Sequence, residues 1–121
     1  MSHRILIVDD EPNIVISLEY LMKKEGFQIA VATDGEAALR LASEFIPDLV
    51  LLDVMMPKKS GFEVCEALRA DAALAGVKII MLTAKGRETE VAKGLALGAD
   101  AYITKPFSTK DLVVQIKSLL S

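Results

Sequence analysis

The chain of 121 residues has little of what would place it in a disulfide-bonded or membrane-spanning class. A single cysteine, Cys65, rules out an internal disulfide and fits a reducing compartment. No run of about 18 apolar residues is available to cross a bilayer. Acidic residues arrive as early as Asp9, so the N-terminus does not read as a secretory signal peptide. The composition therefore predicts a cytoplasmic protein with no membrane partner.

The chain also lacks an excess of basic residues. Fourteen Lys and Arg against 17 Asp and Glu give a formal net charge of −3, which argues against direct nucleic-acid binding and leaves protein partners open. Hydrophobic residues make up 52% of the chain, which indicates a packed globule rather than a disordered segment. A chain of this length supplies one complete core, so we expect a single domain over residues 1–121.

Five short apolar runs alternate with amphipathic stretches along the chain. The runs cover residues 4–10, 27–34, 47–53, 77–84 and 100–106, and the helical stretches cover 12–25, 35–45, 61–72, 87–97 and a last segment from about Ser108. Runs one, three and four are continuous in Ile, Leu and Val, as in strands buried on both faces, whereas the second is mixed like an edge strand. The alternation predicts an α/β fold of the (βα)5 type, with a parallel sheet, right-handed crossovers and helices on both faces.

Reactive side chains stand at the ends of four of these runs. Asp9 and Asp10 close the first run, Asp53 the third, Thr83 lies near the end of the fourth, and Lys105 near the end of the fifth. Ligands of open parallel sheets bind at the carboxyl ends of the strands, so these side chains are expected to meet. Carboxylate oxygens suit Mg²⁺ or Mn²⁺ better than zinc. The set fits phosphoryl transfer, with Asp53 as the expected nucleophile.

Each of these residues also has an ordinary structural interpretation when it is taken alone. The aspartate pair can cap the following helix, Thr83 can be a satisfied strand-end hydroxyl, and a Lys-Pro pair is usually a loop. Cys65 falls on an apolar helical stripe, where a buried and inert thiol is expected. Lys58 and Lys59 read as a solvated loop. Only the combination is specific.

Four segments, ILIVDDEP, PDLVLLDVMMPKKSG, IIMLTA and GADAYITKPF, resemble the receiver domain of two-component response regulators, and the resemblance covers essentially the whole chain. It implies a flavodoxin-like sheet in the order 2-1-3-4-5. It implies that Asp53 accepts a phosphoryl group from a sensor histidine kinase or a phosphotransfer protein. It also implies that Asp10, Asp53 and the backbone carbonyl of Met55 hold Mg²⁺, with Asp9 acting through water.

The same resemblance assigns a switch. It makes Lys105 the contact to the phosphate, Thr83 the hydroxyl that swings towards it and Tyr102 the aromatic side chain that rotates, with a cis bond before Pro106. Phosphorylation would then alter the surface of the fourth helix, fifth strand and fifth helix for an output domain or protein partner. Self-directed phosphoryl transfer and slow self-hydrolysis would take the place of enzymatic turnover.

Four positions bear on the subfamily and on the lifetime of the phosphorylated state. Ala101 and Lys110 stand where winged-helix regulators often carry Asp and Arg, which weakens the case for their salt-bridged dimer and leaves a phosphorylation-linked homodimer open. Met55 and Lys85 occupy positions that tune self-dephosphorylation in the family, without fixing a rate.

Three other functions compete with this reading. A haloacid-dehalogenase-type phosphatase needs an acid two residues after the nucleophile, where this chain has Met55. A nucleotide-binding Rossmann domain needs glycine-rich backbone after the first strand, where this chain has three acids in a row, ending at Glu11. A receiver used only as an unphosphorylated docking module is disfavoured by the intact set of acids, Thr83 and Lys105.

Overall fold

A computed structural model of the chain describes residues 3–56, 58–84 and 88–121. Five strands alternate with five helices in these ranges: β1 (Arg4–Val8), α1 (Pro12–Lys24), β2 (Gln28–Ala32), α2 (Gly35–Phe45), β3 (Leu49–Asp53), α3 (Gly61–Ala70), β4 (Lys78–Ala84), α4 (Glu88–Ala96), β5 (Ala101–Lys105) and α5 (Thr109–Leu120). Each predicted apolar run contains one strand, and each helical stretch contains one helix. The third helix ends two residues before the predicted boundary, and the predicted start of the fourth, at position 87, lies outside the described ranges.

The strands form one parallel sheet in the order β2-β1-β3-β4-β5. This confirms the predicted flavodoxin-like (βα)5 fold, including the position of β2 at an edge. All five residues of β3 are buried, as the central place of that strand requires. Parallel pairing places the carboxyl ends of all five strands along one edge, where the side chains singled out in the sequence are found.

Two apolar clusters cover the two faces of the sheet. One cluster packs α2 and α3 against one face, and the other packs α1 and α5 against the opposite face. Successive residues of a strand point to opposite faces, so β1 gives Leu6 to the first cluster and Ile5 and Ile7 to the second. Among the described helices, none combines the length and apolarity needed to cross a bilayer.

Local signals explain where several helices begin and end. Pro12 occupies the first turn of α1, where its missing N–H costs nothing. Beyond the end of α1, Gly26 adopts a left-handed φ of 85°. A capping box of Ser60 and Glu63 begins α3, and Ser108 caps α5 as predicted.

The orientation of α4 corrects one prediction. Val91 and Leu95 repeat with the period of a helix in the fourth helical stretch, which predicts that both are buried, but 44% of the surface of Leu95 is exposed. The side of α4 that faces the sheet is Gly94, where a Cβ would lie 3.2 Å from Cγ of Met81. Because the glycine allows this close approach, the helix packs on Gly94 and turns Leu95 outwards.

The guanidinium of Arg69 joins α3 to the segments on either side of β4. Its Nε donates to the carbonyl of Gly98 (2.8 Å), and Nη1 donates to the carbonyls of Ala75 (3.0 Å) and Val77. Its Nη2 pairs with Oδ2 of Asp100 at 2.7 Å. One side chain therefore satisfies three carbonyls and, together with the N–H of Ile79, the carboxylate of Asp100.

Replacing Arg69 by Met should lower the free energy of unfolding by about 2–4 kcal/mol, because partly buried acceptors are left unsatisfied. Urea denaturation measures the loss. Arg40→Met is the matched control, since Arg40 is an exposed residue of α2 and its replacement should change stability by no more than about 0.5 kcal/mol. Equal stabilities for the two variants would contradict this account.

Candidate functional site

The register of the sheet brings the five predicted site residues to one edge. Val8 of β1 pairs with Leu52 of β3, so the residues that follow them, Asp9 and Asp53, are neighbours. Asp53 in turn pairs with Leu82, the residue before Thr83. On the far side of β4, Ala84 pairs with Lys105. Four strand ends thus bring these residues to one edge of the sheet, as the sequence predicted, and their surroundings there are called the pocket.

The ammonium of Lys105 forms the positive centre of this pocket. Its Nζ lies 2.9 Å from Oδ2 of Asp9, 3.2 Å from Oε1 of Glu11 and 3.3 Å from Oδ1 of Asp53. Burial alone would lower the pKa of Lys105, but Asp9, Asp53 and Glu11 outweigh burial and raise the pKa above its ordinary value. Lys105 is therefore a permanent cation in this pocket.

Three aspartates form a carboxylate cluster, defined here as Asp9, Asp10 and Asp53. Each can offer one oxygen, and these oxygens lie within 4.8 Å of one another. Asp9 is fully buried and Asp53 nearly so, whereas Asp10 is exposed. Two carboxylates 4 Å apart repel by about 4 kcal/mol at an effective dielectric constant near 20. One ammonium cannot offset all the repulsion, and a set of hard oxygen ligands fits Mg²⁺ or Mn²⁺.

The pKa of Asp53 reflects this crowding. Burial, followed by the charge of Asp9, raises the pKa of Asp53 from 3.8 to about 6, against the opposing attraction of Lys105. A carboxylate with this pKa is mostly ionised at neutral pH and has an oxygen free to attack an electrophile.

Two further side chains in the predicted switch differ in exposure. Thr83 is 2% exposed, and its Oγ1 has no hydrogen-bond partner among the described residues. A buried hydroxyl without a partner is uncommon, and it leaves a donor available beside the carboxylate cluster. Tyr102 of β5 is 44% exposed. The bond between Lys105 and Pro106 is cis, as expected from the resemblance.

The loop after β3 is held against the strand end by a glycine. A Cβ on Gly61 would lie 2.3 Å from the carbonyl oxygen of Asp53, so only a glycine fits the first position of α3. The N–H of Gly61 donates to the carbonyl of Val54 at 2.9 Å. Met55 lies between Val54 and Gly61 in the sequence, and its surface is 65% exposed. The first residue of α3 is thus packed directly on the end of β3.

The remaining predicted residues lie apart from the pocket or outside the described ranges. Cys65 is buried in the first apolar cluster, consistent with an inert thiol. Lys58 is exposed and lies 3.9 Å from Asp34, which caps α2. Lys85 lies outside the described residues.

Glu11 is the residue of the pocket that the sequence reasoning missed. It had been counted only among the acids that exclude a nucleotide-binding loop, yet its carboxylate contacts Lys105. A signal was present, because Glu11 occupies the N-cap of α1, a position where Ser, Thr, Asp or Asn is preferred. A longer acid at that position indicates a side chain that serves something other than the helix.

Comparison with known proteins identifies the family. The sequence-family model of the response regulator receiver domain matches residues 5–117. The chain belongs to this family. As a receiver domain, it is part of the two-component response-regulator class, with the flavodoxin-like fold that the sequence resemblance implied.

The receiver domain is similar to several characterised proteins. It is 46% identical over 120 residues to the alkaline phosphatase synthesis transcriptional regulatory protein PhoP of Bacillus subtilis and 48% identical over 120 residues to the DNA-binding response regulator MtrA of Mycolicibacterium smegmatis. These matches cover 99% of the chain, and the chain spans about half the length of both relatives (49% and 51%).

A solved structure of the same fold comes from Pseudomonas aeruginosa. The receiver domain of the sensor histidine kinase PA1611 is 27% identical, with a TM-score of 0.91 over 99% of this chain and 98% of that chain. That structure has a magnesium ion coordinated in its active site cleft.

The raised pKa of Asp53 predicts a pH-dependent stability in metal-free buffer. Because the folded protein binds this proton more tightly than the unfolded chain, the contribution of Asp53 to stability falls as the pH rises from about 4 to about 6. The difference in unfolding free energy between Asp53→Asn and wild type should therefore grow by about 2–3 kcal/mol over this range. Urea titrations at several pH values in the presence of a chelator measure it. A difference independent of pH would contradict the shift.

Proposed function

We propose that the receiver domain is a phosphorylation-dependent switch in which Asp53 accepts a phosphoryl group from a sensor histidine kinase or a phosphotransfer protein. The observation that carries this proposal is the position of the Asp53 carboxylate, 3.3 Å from the ammonium of Lys105 and within reach of two further aspartates. An ion pair alone would need neither the carboxylate cluster nor the unpartnered hydroxyl of Thr83. Phosphoryl transfer uses all three features.

The bonds made and broken in the transfer step belong to the chain and its phosphodonor. An oxygen of Asp53 attacks the phosphorus of a phosphohistidine, the P–N bond breaks, and its electron pair stays on the imidazole, which takes up a proton. The products are an acyl phosphate on Asp53 and a free histidine. Lys105 is placed to meet an oxygen of the transferring group, and Thr83 can donate to another. Attack by water later returns the carboxylate and inorganic phosphate, with no outside substrate turned over.

The carboxylate cluster fits a divalent cation. Asp10, Asp53 and the backbone carbonyl of Met55 would hold Mg²⁺, or Mn²⁺ in its place, and Asp9 would act through water. When bound, the cation neutralises the repulsion among the carboxylates and the charge of the phosphoryl oxygens. The fully buried Asp9 contributes by holding Lys105 at 2.9 Å, which keeps the ammonium beside Asp53.

The output of the switch is proposed to be the surface of α4, β5 and α5. A groove of about 630 Å³ lies on this surface, with Leu95 and Tyr102 among its lining residues. Reorientation of Thr83 and Lys105 towards a phosphoryl group would free space for Tyr102 and reshape the groove. An output domain or a protein partner would read the change, and a homodimer through this face stays open.

The setting of the switch is proposed to be cytoplasmic. The named relatives include regulators of transcription and DNA binding, and the receiver domain corresponds to about half of their length. With a net charge of −3, it is suited to protein contacts rather than to DNA. An unphosphorylated docking module is the alternative, and it predicts no phosphoryl uptake at all.

Incubation with acetyl phosphate and Mg²⁺ should add one phosphoryl group to the protein, because Asp53 is ionised and paired with a cation. Intact mass spectrometry measures the uptake. Asp53→Asn should abolish it, since the amide is a poor nucleophile. Asp71→Asn, at an exposed acid beyond the far end of α3, is the matched control and should match wild type.

Each alternative has its own outcome in this assay. No uptake by wild type from acetyl phosphate or a phosphohistidine donor would favour the docking module. Release of phosphate from many added phosphoesters, with turnover, would favour a phosphatase.

Mg²⁺ should raise the melting temperature, because a cation that binds only the folded protein stabilises it by about 2.7 kcal/mol at 100 times its Kd. Replacement of Asp10 by Asn should remove most of this increment, whereas Asp71→Asn should retain it. Calorimetry or thermal melts with and without a chelator measure the difference. An increment that is equal in both variants would exclude Asp10 from the cation site.

A further inference from the structure

The side chain of Glu11 is used in an unexpected way. Glu11 is the N-cap residue of α1, but its side chain accepts no hydrogen bond from the first turn of that helix. Instead, its Oε1 lies 3.2 Å from Nζ of Lys105, which is 94 positions away along the chain. Its own N–H donates to Oδ1 of Asp9 at 2.9 Å, which fixes the backbone at this point.

The contact with Glu11 completes the set of partners of Lys105. An ammonium has three N–H donors, and Lys105 faces three carboxylates, those of Asp9, Glu11 and Asp53. Lys105 donates hydrogen bonds to Glu11 and Asp53 and forms an ion pair with Asp9, so three carboxylate oxygens already lie within 3.3 Å of its Nζ. If a phosphoryl group on Asp53 is to meet the ammonium, one carboxylate must give up its place.

The three carboxylates differ in how firmly they are held. The side chain of Asp9 is fully buried, and that of Asp53 is 8% exposed, whereas that of Glu11 is 60% exposed. An exposed carboxylate that leaves its partner is rehydrated at once, but a buried one stays unsolvated. Glu11 is therefore the partner that leaves at the lowest cost.

We propose that Glu11 is a positioning residue that holds Lys105 in the unphosphorylated site and is displaced from it when Asp53 is phosphorylated. This inference rests on the proposed function. The contact opposes phosphorylation, because part of the attraction between Lys105 and the phosphoryl oxygens is spent on releasing Glu11. Glu11 thus limits the rate at which Asp53 is phosphorylated, without touching the reacting atoms.

Two substitutions separate this contact from simple charge repulsion. Glu11→Gln keeps the length of the side chain and removes its charge. Glu11→Asp keeps the charge but shortens the reach, and aspartate at an N-cap accepts hydrogen bonds from the helix. Both variants should take up phosphoryl groups from acetyl phosphate about two- to fivefold faster than wild type. The aspartate variant should also melt at a higher temperature.

Glu36→Gln is the matched control for charge. Glu36 is an exposed acid in the first turn of α2, at the same edge of the sheet, and its replacement makes the same change in net charge. Its uptake rate should equal that of wild type. All rates are measured by intact mass with Mg²⁺ at fixed ionic strength.

A double-mutant cycle tests whether Glu11 acts through Lys105. In a Lys105→Gln background, where uptake is slower but measurable over longer times, Glu11→Gln should no longer accelerate the reaction. A merely structural role of Glu11 would give the same factor in both backgrounds. If Lys105→Gln does not fold, the uptake rate of Glu11→Asp alone tests whether the contact with Lys105 slows phosphorylation.

The outcomes of these measurements separate a failure of the proposed role of Glu11 from a failure of the proposed function. Uptake by wild type with no acceleration in either Glu11 variant overturns this inference and leaves the proposed function intact. Acceleration in Glu11→Gln with a wild-type rate in Glu11→Asp also overturns it, since repulsion alone would then account for the effect. No uptake by wild type overturns the proposed function and this inference with it.

Discussion

The attraction between one ammonium and the carboxylates around it is the constraint on which this pocket depends. Lys105 is 14% exposed and faces Asp9, Glu11 and Asp53, all within 3.3 Å. Asp10 lies beside Asp9 and Asp53, so the described residues of the pocket include four carboxylates and one ammonium. The pocket therefore keeps a surplus of negative charge, which the folded chain tolerates because Glu11 and Asp10 remain in contact with water. That surplus is also what makes the site receptive to a divalent cation.

The buried sheet stabilises the fold enough to tolerate this concentration of negative charge. Strands β1 and β3 bury nearly every side chain, and the apolar contacts of the two clusters far exceed the repulsion at one edge. Parallel pairing fixes the relative height of the strand ends to within a residue. The close packing of Gly61 on the carbonyl of Asp53 then leaves the strand end little freedom to relax away from its neighbours.

Features of the fold and the site that leave a local signal in the sequence could be predicted, and features that depend on tertiary contacts could not. Apolar runs and helix caps are local signals, so the strands, the helices and the meeting of the strand ends were predictable from them. The strand order was implied only by the family resemblance. The outward turn of Leu95 was not, because it depends on which side of α4 Gly94 presents to Met81. Likewise, Ile46 ends α2 at a left-handed φ of 48°, a conformation that a β-branched residue rarely adopts and that no pattern announces. Arg69 contacts Gly98, 29 positions away, and Glu11 contacts Lys105, 94 positions away, and only the tertiary fold brings these residues together.

The contrast between Glu11 and Asp9 shows how one cation can serve both a stable fold and a reversible signal. Asp9 is buried, so its ion pair with Lys105 is costly to break and keeps the ammonium in the pocket in either state. Glu11 is exposed, so its contact is weak and can be exchanged for another anion. The proposed switch needs one partner of each kind. If all its partners were buried, Lys105 could not exchange one of them for a phosphoryl group, and if all were exposed, Lys105 would not be held beside Asp53. The same reasoning applies to Thr83, whose buried hydroxyl lacks a partner among the described residues and thus gains most when an acceptor arrives. In the proposed switch, a phosphoryl group would accept from both Lys105 and Thr83, and the difference in interaction free energy between the two states would be what is available to reshape the surface of α4, β5 and α5.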